Sequence, residues 1–119
     1  MPKLTVDGKT IDVEQGKRLV LAIEEAGIPI GHRCGGNARC TTCRVEFQQG
    51  ESSKMTKAEK ERLEANGLTG KVRLACQITC EQDMVLKTLM TVDNQPEWKG
   101  NNGPTPKEEI TPPAEWIEN

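Results

Sequence analysis

Three thiols within ten residues, Cys34, Cys40 and Cys43, and a fourth, Cys76, much further along, constrain this chain more than any other feature. Their order is C-x5-C-x2-C, a long gap, then C. A fold that returns a remote cysteine to a short thiol-bearing loop has few topologies open to it, and four converging thiolates can enclose a metal centre. Such a centre would also supply cohesion. The chain has 119 residues, of which 34% are hydrophobic and 3% aromatic, so the economical expectation is one domain with a modest core. Metal binding would then contribute directly to folding free energy.

A fifth cysteine, Cys80, makes the count odd. The N-terminus, MPKLTVDGKT, lacks the apolar core of a secretory signal. Together these favour metal binding or redox chemistry over a disulfide framework. With no apolar run of roughly 18 residues, the chain is expected to be soluble and cytoplasmic.

Leu4 and Val6, then Ile11 and Val13, alternate with polar residues on either side of Asp7-Gly8, which predicts a two-stranded hairpin over residues 3–13. In RLVLAIEEAG, Leu19, Ala22, Ile23 and Ala26 recur at the spacing of a helix with one buried face. Gly27 can close that helix in a left-handed conformation, and Pro29 forbids its continuation. From Gly31 to Cys43 no apolar periodicity survives. GHRCGGNARCTTC predicts a loop in which Gly35, Gly36, Ala38, Thr41 and Thr42 bring N–H and O–H donors close to a bound group. RVEFQQG predicts a third strand. Thr56 and Glu59 read as a capping box ahead of the charged helix AEKERLEANG, whose main apolar anchor is Leu63. VRLACQI predicts a fourth strand with Cys76 near its end, and MVLKTL a fifth. Beyond Val92 the chain holds five of its seven prolines and both tryptophans, Trp98 and Trp116. That composition predicts an extended tail over 92–119 following a domain over 1–91, with the tryptophans folding back onto the domain.

Two kinds of centre suit four cysteines. In a [2Fe-2S] cluster, Cys34 and Cys40 would ligate one iron and Cys43 and Cys76 the other, each iron completing a sulfur tetrahedron through the bridging sulfides. Structural zinc is the alternative, and the C-x3-C pair Cys76 and Cys80 keeps it open, although zinc ribbons usually show two C-x2-4-C knuckles. A dithiol oxidoreductase built on Cys40-Thr41-Thr42-Cys43 lacks its βαβ context. A Rieske centre needs two histidines, and His32 is the only one. The glycine-rich loop favours the cluster. Cys80 is then a substitute ligand, a redox-sensitive thiol or, as is commonest, a small buried hydrophobe. His32, Arg33, Arg39 and Arg44 would place positive charge about the loop and favour the more negative reduced state.

GHRCGGNARCTTCRVEF, the helix before it and VRLACQI after it resemble the [2Fe-2S] ferredoxins of β-grasp fold, over roughly residues 3–90. The first gap is one residue longer than the plant-type C-x4-C-x2-C and matches the adrenodoxin-like branch, whereas the short interval between Cys43 and Cys76 is nearer the plant type. Adrenodoxin-like proteins often carry a histidine after the third loop cysteine; here that residue is Arg44. The resemblance implies an α+β fold in which a mixed sheet clasps a helix, with a [2Fe-2S] cluster on Cys34, Cys40, Cys43 and Cys76. It also implies a monomeric one-electron carrier, not an enzyme, that shuttles electrons between a ferredoxin reductase and acceptor oxidoreductases, with the loop of residues 31–43 as its exposed edge. A cluster-based sensor whose tail reports redox state would share the same ligands. The formal charge is -2 with neutral thiols. Four thiolates and an oxidised cluster core together add about two more negative charges. An acidic holo-protein argues against nucleic acid and suits a partner with a positive docking surface, toward which Glu81, Asp83, Glu108, Glu109, Glu115 and Glu118 would add negative charge.

Overall fold

A computed structural model describes residues 2–32, 35, 41–92, 94–95, 106–111 and 113–118. The predicted hairpin is present as β1 (Lys3–Val6) and β2 (Lys9–Asp12), antiparallel with Val6 opposite Lys9. Its two-residue turn holds Asp7 at φ 50 and Gly8 at φ 83, the left-handed pair that a tight hairpin demands. Leu4 and Val6 face the core, and β2 forms a mostly exposed edge.

A short strand, β3 (Lys17–Arg18), runs directly into α1 (Leu19–Glu25). Leu19, Val20, Ala22 and Ile23 are buried, with Ala26 packed against them, and Gly27 ends the element at φ 87. No side chain caps the helix. Leu19 N–H instead donates to Ile78 O at 2.8 Å, which ties the helix start to the segment that carries Cys76.

Then follow β4 (Arg44–Gln49), β5 (Lys54–Thr56), α2 (Lys57–Ala65), β6 (Arg73–Leu74), a 3-10 turn (Ala75–Gln77), β7 (Thr79–Cys80), β8 (Met84–Thr88) and β9 (Trp116–Glu118). The main sheet has the order β2-β1-β8-β4-β6, parallel between β1 and β8 and antiparallel elsewhere. α1 packs against β3 and the 3-10 turn, so Leu19, Ile23, Ile30, Val45, Leu74 and Leu86 share one core with the sheet. Burying each such side chain contributes about 1.5–3 kcal/mol.

VRLACQI departs from the expected strand. Only Arg73 and Leu74 pair with β4, and Cys76 lies on the 3-10 turn rather than near a strand end. The ladder runs one bond past the strand, Ala75 N–H donating to Cys43 O (3.0 Å), while Leu74 N–H, on the side away from β4, is taken by Glu59 Oε2 (2.8 Å), and the chain then turns. The capping box is half formed. Thr56 Oγ1 accepts Glu59 N–H at 3.1 Å, but the Glu59 carboxylate turns inward to Arg73, so this helix has a buried ionic anchor besides Leu63. Strands β3, β5, β7 and β9 have two or three residues each, too few for alternation to show in sequence. Trp116 does fold back, on β9 opposite Thr56, with Lys54 Nζ 4.4 Å from its ring centroid. Trp98 lies outside the described residues.

Candidate metal centre

Of the four predicted ligands, Cys43 and Cys76 are described, and both are buried, at 1% and 0% exposure. Cys34 and Cys40 lie outside the described residues, as do Arg33, Gly36, Ala38 and Arg39. Cys43 immediately precedes β4 and Cys76 immediately follows Ala75, the first residue of the 3-10 turn. The register Arg44 opposite Leu74, with the bond from Ala75 N–H to Cys43 O, sets both cysteines at the same end of the β4–β6 pair. The chain's long return from β4 through α2 serves to bring them there.

Both ends of the loop are held. Gly31 N–H donates to Met90 O (3.0 Å), Val92 N–H to Pro29 O (2.9 Å), and Ile30 bridges Thr91. Gly31 lies so close to Thr42 that a Cβ there would sit 2.7 Å from Thr42 Cβ, so glycine is required by packing. Arg44 folds back on the loop's last turn, with Nε donating to Thr41 O at 2.9 Å and Nη2 bonded to Thr41 Oγ1. Arg44 thus ties loop to body at the position where the related branch often has histidine. His32 is buried, its Nε2 3.2 Å from Glu24 Oε2 on α1. Among the loop's described residues, Gly31, His32, Gly35 and Cys43 are buried, and only Thr41 and Thr42 are half-buried. Exposure along the whole loop, as expected from sequence, does not hold for those four.

Around Cys76 the structure adds groups that sequence did not single out. Gln77 Nε2 lies 3.6 Å from Cys76 Sγ, a hydrogen bond to sulfur. Arg18, buried at the start of α1, donates Nε to Cys76 O at 2.7 Å and so sets a cation one peptide group from the thiol. Both would stabilise added negative charge on a sulfur centre. Gln77 was findable as the neighbour of a predicted ligand. Arg18 carried a weaker signal, the second of two adjacent cations where the apolar helix stripe begins.

A second missed group supports the same turn. Arg73 donates Nε to Glu59 Oε2 (2.8 Å) and Nη2 to Glu59 Oε1 (3.1 Å), and the same carboxylate takes Leu74 N–H. Burial pushes the Glu59 carboxyl up, against the hydrogen bonds and charge of Arg73 and the Leu74 amide. Burial alone would lower the Arg73 guanidinium, but Glu59 and Glu51 outweigh it and hold the group above its ordinary value. The pair locks α2 to β6, immediately before Cys76.

Cys80 stands apart. It is buried on β7 opposite Lys17, and burial, with the Glu81 charge, pushes its thiol up to about 12 despite Lys17. Among the described residues no three His, Cys, Asp or Glu side chains converge, so Cys43, Cys76 and Cys80 do not make a zinc-type group. Two buried thiols at one sheet end, small residues beside them, an amide N–H donor and a buried cation suit a sulfur-ligated cluster. Among the described residues no helix is long and apolar enough to cross a membrane.

The family model for the 2Fe-2S iron-sulfur cluster binding domain matches residues 4–81. A 2Fe-2S ferredoxin of Haemophilus influenzae is 33% identical over 85 residues, covering 68% of this chain and 75% of that one. A subunit of the Na(+)-translocating NADH-quinone reductase of Chlamydia felis is 30% identical over 94 residues, covering 79% of this chain but 22% of its own length. The chain therefore spans about a fifth of the length of such relatives. Among solved structures, the ISC-like [2Fe-2S] ferredoxin of Pseudomonas putida aligns with a TM-score of 0.63 at 24% identity, over 75% of this chain and 93% of that one. The ferredoxin of Trichomonas vaginalis aligns with a TM-score of 0.56 at 27% identity, over 71% and 96%. The sheet clasping α1 is thus the ferredoxin β-grasp. With four cysteines in cluster order and a family match over most of its length, the chain belongs to the [2Fe-2S] ferredoxins and carries a [2Fe-2S] cluster as its cofactor.

Proposed function

We propose that this chain is a one-electron carrier that accepts an electron from a reductase and passes it to acceptor oxidoreductases, with Cys34, Cys40, Cys43 and Cys76 as its cluster ligands. The observation that carries the reading is the seating of Cys43 and Cys76, both buried, at one end of the β4–β6 pair and joined through Ala75 N–H and Cys43 O. When bound, the cluster supplies the electron step, and the protein supplies positioning, shielding and charge. Arg18 and the Gln77 amide lower the cost of negative charge at Cys76, Arg44 holds the loop, and the core excludes water from the two described thiols. No bond-making chemistry is assigned to the chain. Its cluster-bearing part is residues 1–91, and 92–119 form a tail that lies beyond the family match.

A reductase partner is supported by relatives in which a similar segment forms part of a larger reductase polypeptide. The test is stopped-flow mixing of the holo-protein with a pyridine-nucleotide-dependent ferredoxin reductase, followed by an acceptor such as cytochrome c. Bleaching and recovery of the visible absorbance with one electron per chain is the expected result. Loss of absorbance without recovery, or no reduction by reductase or dithionite, would overturn the reading.

A further inference from the structure

The described C-terminal segment reaches the turn that carries Cys76 through two buried side chains. Arg18, besides its bond to Cys76 O, donates Nη1 to Lys107 O (2.9 Å) and Glu109 O (3.0 Å). The Gln77 amide is oriented by its hydrogen-bond partners. Thr56 Oγ1 accepts the Glu59 N–H, so its own O–H is directed to Gln77 Oε1 at 2.8 Å, and Gln77 Nε2 is left to donate to Thr111 O (2.9 Å) and Cys76 Sγ (3.6 Å). Farther along, β9 pairs with β5, Thr56 opposite Trp116, and Lys57 N–H donates to Glu115 O at 2.8 Å. Pro106 is buried and Ile117 packs on the core. Thr56 therefore serves three contacts at once: it caps α2, aims Gln77 and pairs with the tail.

We propose that residues 106–111 and 113–118 form a strap whose seating on the domain is coupled to the oxidation state of the cluster through Gln77. The proposal rests on Cys76 being a ligand. One-electron reduction adds negative charge to the ligand sulfurs and strengthens an N–H donated to them. The amide that makes this bond is held by the strap's Thr111 carbonyl, so a seated strap favours the reduced state. Coupling between two equilibria is reciprocal, and reduction must hold the strap down by the same factor. The strap lies beyond the residues that the family model matches and beyond β8, the last strand of the main sheet, and Gln77 is a positioning residue between strap and domain.

The test is amide hydrogen exchange on the intact holo-protein, oxidised and dithionite-reduced, under argon. Exchange at Lys57 and residues 114–118 should slow on reduction by about fivefold or more. A tenfold difference would correspond to a potential about 59 mV higher with the strap seated, for a one-electron couple. Gln77→Leu should abolish the difference and lower the potential. Thr56→Val, which frees the amide while leaving Gln77 in place, should do the same in part and serves where Gln77→Leu fails to load its cluster. Equal exchange in both states, or a difference that survives these substitutions, overturns the proposal. Cys76→Ala separates the two readings. Loss of the cluster in that variant together with equal exchange in wild type removes the strap coupling and leaves the ligand standing, whereas a full cluster signal in Cys76→Ala removes both.

Discussion

Replacing Arg73 with methionine tests whether the buried Glu59–Arg73 pair holds the turn that bears Cys76. The two side chains are 5% and 0% exposed, and the guanidinium reaches both Glu59 oxygens, Ser52 O (3.1 Å) and Lys54 O (3.0 Å). Its contact with Glu51, which is 45% exposed, is screened and adds little. Removing one partner of a buried ion pair leaves an uncompensated charge and costs about 3–5 kcal/mol, a large share of a domain stability of about 5–15 kcal/mol. At roughly 4 °C per kcal/mol for a chain of this size, the thermal midpoint should fall by about 10–20 °C. The loss should depend on pH. Burial pushes the Glu59 carboxyl up, and deleting Arg73 removes the opposing pull, so the folded-state value rises further. An acid raised in the folded state contributes stability below its unfolded value and loses it as pH rises through the folded value. The deficit of Arg73→Met should therefore grow as pH rises from below to above the ordinary carboxylate range. Glu59→Leu combined with Arg73→Met should recover much of the loss, because no buried charge remains. Unfolding of the anaerobic holo-protein, followed at one scan rate by far-ultraviolet circular dichroism and visible absorbance, measures all of this. A midpoint within about 3 °C of wild type, less than 1 kcal/mol, or a deficit that grows on acidification, would refute the reasoning.

Three further outcomes are expected. Cys34→Ala, Cys40→Ala, Cys43→Ala and Cys76→Ala should each lose the normal visible spectrum and electron paramagnetic resonance signal, while Cys80→Ala keeps both; the opposite pattern at Cys76 and Cys80 would move the fourth ligand. Gly31→Ala should destabilise the loop by about 1–3 kcal/mol through the clash with Thr42, seen as a shorter half-life of the visible absorbance on warming; an unchanged half-life would show that the close approach is not required. With its thiol pushed up to about 12, Cys80 should resist iodoacetamide in the folded holo-protein near pH 8 and react once the chain is denatured. Stoichiometric labelling of folded protein would contradict its buried environment.

Much of the fold is legible in the sequence because its signals are short-range. The Asp7-Gly8 hairpin, the stripe of Leu19, Ala22 and Ile23, and the Thr56 cap each express one short-range rule, and each element forms where that rule puts it. Cys76 shows where such rules stop. Its segment reads as a strand by composition, yet only Arg73 and Leu74 pair with β4 before the chain turns at Ala75, and a distant carboxylate from α2 holds the outer amide of Leu74. Arg18 and Gln77 were missed for the same reason: their partners at Cys76, Thr56 and residues 107–111 are distant in sequence. The spacing of the thiols, the glycine-rich loop and the family resemblance together point to the cluster, while the contacts around Cys76 depend on tertiary pairing.

The most direct test of the account is a redox titration of the anaerobically purified protein, monitored by electron paramagnetic resonance, with iron, sulfide and zinc measured on the same sample. About two irons and two sulfides per chain, a visible spectrum, and an S = 1/2 signal that appears on uptake of one electron are the predicted result. A colourless protein holding stoichiometric zinc and accepting no electron would contradict it.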